Sequence, residues 1–184
     1  MIIASQKRKE NIAEYLLYMW QVEDIIRANG LDMDRIRTNV ISRFADLTPE
    51  QRREMEQWYE SLIDMMRREG VVEKGHLQIN RNTLDSIIEL HKALLSDPKF
   101  ADYSAEFYRT LPYIVELRAK AGENAQGEIA TCFTALYGML LLRLQGKELS
   151  ADTLAAMKQI SRFIGTLAAL YRKNEEKPIF NTEE

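Results

Sequence analysis

The chain has 184 residues, 46% hydrophobic and 29% charged, with a formal net charge of -3; that length predicts one domain, over residues 1–174, with a substantial core. Eight glycines, four prolines and one cysteine leave no internal disulfide and, with two histidines, too few donors for a structural zinc site, so no metal and no cofactor are expected. The acidic balance lacks the basic excess that nucleic-acid binding leaves, and the most apolar run, Ile129 to Leu142, is too short for a span and ends at Arg143, so neither nucleic acid nor membrane is an expected partner.

Good helix formers fill the sequence, which predicts an all-α fold. Apolar spacing sets a first helix at about Ser5 to Asn29, stopped by Gly30. A second starts near Asp32 or Asp34 with Met33, Ile36, Val40, Phe44 and Leu47 on one stripe. In LTPEQRREM, Thr48 is an N-cap, Pro49 occupies the first helical position, and Gln51 completes a T-x-x-Q capping box. The third helix so begun carries Met55, Trp58, Tyr59, Leu62, Met65 and Met66, read as core rather than as an adaptable methionine groove, and ends at Gly70. Between Gly70 and Asn80, VVEKGHLQI reads as a small hairpin or an extended loop.

A fourth helix runs from about Asn80 or Asn82 to Ser96 and closes at Asp97-Pro98. The fifth places Phe100, Tyr103, Phe107, Leu111 and Ile114 on one face, and Pro112 should kink or split it. After Gly122 comes a sixth, about Ala125 to Gln145, with Met139, Leu140, Leu141 and Leu142 in succession. Apolar coverage around its whole circumference predicts a central position. Ser150 caps the last helix, which extends to about Asn174 with Met157, Ile160, Ile164, Leu167 and Tyr171 inward. The tail, residues 175–184, is polar enough to be loose, although Ile179 and Phe180 could dock. Six or seven amphipathic helices on short loops imply an up-and-down bundle.

Four charged or titratable residues fall on apolar faces. Glu23 lies among Ile12, Leu16, Met19 and Ile26; His91 among Leu84, Ile87, Leu94 and Leu95; Arg143 among Cys132, Leu136, Met139 and Leu140; Arg118 near Phe107, Leu111 and Ile114. A lone buried charge is too costly to persist, so each must be paired, hydrated or near a helix end. Glu23 is expected to meet a cation from another helix, Arg143 first and His91 next, with Arg27 a local alternative at i+4. A satisfied polar network that sets helix register is one reading. The other is a ligand-binding site formed by Glu23, His91 and Arg143 for a small anionic ligand, with Arg143 as clamp.

Other chemistries have no anchor. A dinuclear metal bundle needs Glu-x-x-His on two helices, whereas the only E-x-x-H here is Glu73 to His76, in the loop. Phosphate-loop, dinucleotide and serine-hydrolase motifs are absent from the sequence. Cys132 lies on an apolar stripe where its reactivity should fall, which argues against a Cys132-His91 dyad. Arg52 and Arg53 alternate with glutamates, unlike a recognition helix, and Lys7-Arg8-Lys9 reads as a solvated cluster.

NIAEYLLYMWQVEDIIRA and the later LDSIIELHKALLSDP, at this overall helical length, resemble a family of uncharacterised bacterial proteins known only as a domain of unknown function, over most of the chain. The resemblance implies an all-helical, cytosolic bacterial protein and carries over no activity, cofactor or catalytic residue. The expectation is therefore a non-catalytic helical interaction or ligand-binding module in the cytoplasm, with no catalytic residues. Homodimerisation is expected through apolar surface around Trp58, Met65 or Tyr18. The alternative is an enzyme or small-molecule sensor using Glu23, His91 and Arg143.

Overall fold

Asn11 divides what the periodicity reads as one first helix. In the computed structural model, which describes residues 2–180, α1 spans Ile2–Glu10 and α2 spans Ile12–Ala28. The Asn11 carboxamide oxygen accepts from the Ala13 N–H at 3.0 Å, an N-cap that starts α2 afresh. Gly30, with φ +69°, ends it in the left-handed conformation that costs glycine least.

The second expected helix is shorter than its apolar stripe. Asp32 caps α3 (Met33–Asn39) by accepting from the N–H groups of Asp34 and Arg35, and one tighter turn follows at Ile41–Arg43. There the Ser42 hydroxyl donates to the Thr38 carbonyl at 2.5 Å, a local bond that competes with regular helix. Phe44, placed on the stripe by spacing, is exposed. α4 (Pro49–Arg68) starts with the capping box read from the sequence, Thr48 and Gln51 exchanging bonds at 3.0 and 3.2 Å. It buries Met55, Tyr59, Leu62, Ile63 and Met66.

VVEKGHLQI forms a loop with no strand. α5 (Gln78–Ser96) begins earlier than Asn80 because carboxylates meet its opening N–H groups: Glu69 accepts from Gln78 at 2.6 Å and Glu23 from Leu77 at 2.9 Å. α6 (Ala101–Ala121) runs unbroken through Pro112. The carbonyl four residues earlier belongs to exposed Tyr108, so water can take the bond that proline cannot make, and no split follows. α7 (Glu128–Leu144) and α8 (Ala151–Glu176) complete an all-α fold of eight helices, with no strand among the described residues.

By internal contacts the described chain divides into two compact units: residues 2–9 with Glu14–Thr83, and Glu10–Ala13 with residues 84–180. The core of the first includes Leu16, Met19, Ile26, Ile36, Met66 and Leu77; that of the second includes Ile87, Ile114, Phe133, Ile160, Phe163 and Leu167. At the C-terminal end the Ile179 N–H donates to Asn174, the Lys99 ammonium donates to the Ile179 carbonyl, and Phe180 lies edge-on to Phe100. Residues 181–184 of the expected loose tail lie outside the described residues. No single helix among the described residues is long and apolar enough to cross a membrane.

α7 has fully buried residues along one half only. Its buried residues, Ile129, Thr131, Cys132, Phe133 and Leu136, all lie in the N-terminal half. From Gly138 to Leu142 every residue is only partly covered, and Leu144 is 64% exposed. The all-round apolar character is legible in the sequence, but full burial of side chains is reached only along the N-terminal half of the helix.

Candidate functional site

Glu23 sits one turn after Met19 and one before Ile26 on α2, and it is fully buried in the first unit. Its partners come from the loop and first turn of α5. The His76 Nδ1 lies 2.6 Å from Oε2, while Oε1 accepts from the Leu77 N–H at 2.9 Å and from the Asn80 carboxamide at 2.6 Å. Trp20, one helical turn before Glu23, stacks on the His76 ring at 4.2 Å with 12° between planes. The carboxylate therefore orients one imidazole and tethers the start of α5, and three bonds make its burial tolerable.

Arg27, offered as a local partner for Glu23, turns elsewhere. Its guanidinium pairs with Asp24 at 2.8 Å and donates to the carbonyls of Val71, at 3.1 Å, and Gly75. The loop between α4 and α5 is thus pinned to α2 by two side chains, Glu23 and Arg27. In the sequence His76 stands out only as half of an unpaired E-x-x-H. A pointer was present all the same, since a buried carboxylate needs donors and the exposed N–H groups of a helix start are the commonest supply.

His91 is buried in the second unit, where Nδ1 lies 2.6 Å from the Tyr103 hydroxyl and the ring packs edge-on to Phe107 and Phe163. Burial pushes its pKa down to about 4; Glu128 works against that shift and Lys92 with it. The imidazole is neutral near pH 7, so it is not the cation expected for Glu23.

Arg143 is exposed, in the last turn of α7, where a cation is favoured by the helix dipole. Its inward angular position does not bury it, because the last turn of α7 is exposed and the turn before it is only half-buried. It lines a groove of about 510 Å³ with Met139, Leu154, Met157, Lys158, Ser161 and Arg162. Arg118 is half-buried and pairs with Glu128 at 3.2 Å. Each of the three expected site residues thus has its own setting: Glu23 with His76, Leu77 and Asn80, His91 with Tyr103, and Arg143 in the α7–α8 groove.

One intruder escaped the projection. Glu106 on α6 is buried at the edge of the second unit's core, bonded by Arg109 at 2.6 Å and Gln159 at 3.0 Å and faced by Arg162 at 3.3 Å. Burial would raise its pKa, but these bonds and charges outweigh it and hold the carboxyl below its ordinary value. Its place between Tyr103 and Thr110, both buried, was the signal that could have found it. Cys132 is fully buried and its thiol is pushed up to about 12 by burial, with Glu128 adding to the shift, the unreactive state expected. Among the described residues, no three His, Cys, Asp or Glu side chains come together as a metal site.

The surfaces expected to mediate pairing are partly occupied. Trp58 and Met65 are half-buried, with Trp58 edge-on to Tyr59; Tyr18 is half-buried under Lys7, whose ammonium lies 6.0 Å from the ring centre. No curated protein and no solved structure matches the chain. A family model matches residues 1–178, and the chain belongs to that family, the Domain of unknown function (DUF4924).

Proposed function

We propose that the chain is a non-catalytic helical interaction module, and that its binding face is the C-terminal half of α7 with the start of α8. The observation that carries this reading is the exposed Leu144 at the end of α7, after a half-buried stretch from Gly138 to Leu142. A helix apolar around its whole circumference is normally enclosed, yet here Leu144 is 64% exposed and Leu154, on the neighbouring α8, is 43% exposed. Large apolar side chains left exposed on two neighbouring helices are what an interaction site offers a partner.

The buried polar groups support a non-catalytic reading because their bonding capacity goes to structure. Glu23 serves a helix start, His91 is enclosed by aromatic rings, and Glu106 is neutralised by neighbouring cations. The other reading, a polar pocket for a small anionic ligand clamped by Arg143, has support only in the groove that Arg143 lines.

Leu144→Gln and Leu154→Gln test the proposal. If the face is kept for a partner, neither side chain contributes much to the isolated fold, and unfolding free energies should stay within about 0.5 kcal/mol of wild type in urea titrations. A loss of about 2 kcal/mol in either variant would mean that the chain itself covers the face, and the reading fails.

A further inference from the structure

Charge on the second unit is unevenly spread, and a basic part of it adjoins exposed Leu154 of the apolar face. The α7–α8 groove is rimmed by Arg143, Lys158 and Arg162, floored by Met139, Leu154 and Met157, and lined by no carboxylate, in a chain whose net charge is -3. Arg143 and Lys158 make no ion pair among the described residues. Such cations keep their full field for an incoming group. Arg162 also lines a second groove of about 430 Å³, between α6 and α8, where Lys99, Arg109 and Lys173 add three more cations against Asp102 and Glu106. Glu106 is already engaged by Arg109 and Arg162. Along α8 this strip reaches from Leu154 to Lys173, about 28 Å at helical rise.

The geometry points to an acidic amphipathic helix of a partner protein as the occupant of this face, its apolar side chains on Met139, Leu154 and Met157 and its carboxylates against Arg143, Lys158 and Arg162. This rests on the interaction reading above and adds the partner's chemistry. Helix-in-groove recognition needs an apolar floor for anchors spaced three and four apart. Methionine floors adapt to differing anchors. The rim then selects by charge, because a basic or neutral helix leaves the unpaired Arg143 and Lys158 facing repulsion or desolvation, whereas a carboxylate can take a bidentate bond from Arg143, with Arg162 shared with Glu106. The length of the strip suits a partner helix of about five turns.

The test uses the full chain and three fluorescein-labelled synthetic helices of about 18 residues that share one leucine face and carry Glu, Gln or Lys elsewhere. By fluorescence anisotropy at low salt, the Glu peptide should bind at least about ten-fold tighter than the Gln peptide, and the Lys peptide should not bind. The double variant Arg143→Glu with Lys158→Glu should lose that preference while keeping its circular dichroism and melting curve, since both residues lie at the surface. Rising salt should weaken the Glu peptide selectively. Equal binding of Glu and Gln peptides, abolished by Leu154→Ser, would overturn the acidic assignment and leave the interaction reading standing. A homodimer broken by Leu144→Glu, with no peptide bound, would give the face to a second copy and overturn the proposal. Binding to anionic vesicles alone, or no binding to any probe by a monomer, would overturn it as well.

Discussion

At Glu23 three donors converge on one buried carboxylate, and two of them, the Leu77 N–H and the Asn80 carboxamide, are themselves buried. Glu23→Gln replaces one acceptor by a donor facing donors, so a loss of about 1–3 kcal/mol is expected in urea unfolding. His76→Ala should cost less, since its side chain is 36% exposed. The double variant should be less destabilised than the sum of the two, by about 0.5 kcal/mol or more; additivity would show that the 2.6 Å contact does no energetic work. His91 makes a different prediction. Its pKa falls on folding from the ordinary 6.5 to about 4, so the unfolded chain binds the proton more readily. Its contribution is present above about pH 6.5 and is lost as pH falls through that window, by about 2 kcal/mol between about pH 7 and pH 5. His91→Gln, which cannot titrate, should flatten the decline over that interval; an unchanged slope would contradict the assignment. Glu106 acts lower, because its depressed pKa keeps its contribution until pH drops below the ordinary carboxyl range.

Elements follow local rules where local groups satisfy the backbone. The capping box at Thr48 and Gln51 closes within four residues, as does the Ser150 cap, whose hydroxyl accepts from the Thr153 N–H at 3.2 Å. Both ends were legible for that reason. The start of α5 was not, because its N–H groups are met by Glu69 and Glu23, which lie 9 and 54 residues away. Pro112 shows context overriding propensity in the opposite direction, for the helix continues through it. Pro112→Ala should restore one internal hydrogen bond and raise stability by about 1–3 kcal/mol, read as a higher urea midpoint with an unchanged slope. A destabilised variant would mean that the proline's limit on the unfolded chain outweighs the missing bond.

Over the whole molecule, apolar periodicity was enough to read an all-α fold, the main helices and the candidate core, since a stripe repeated at helical spacing is a property of neighbouring residues. It also singled out Glu23 and His91 as polar residues turned inward, and both are buried. Their partners were beyond its reach. Which donor meets Glu23 depends on a loop folding back onto α2, and which half of α7 is covered depends on where α6 and α8 run. Long-range packing makes those choices, and a one-dimensional pattern records that a face must be covered without recording by what. The same limit explains Arg143: its angle around the helix was read from spacing, whereas its exposure follows from its place at the open α7–α8 groove in the last turn of α7.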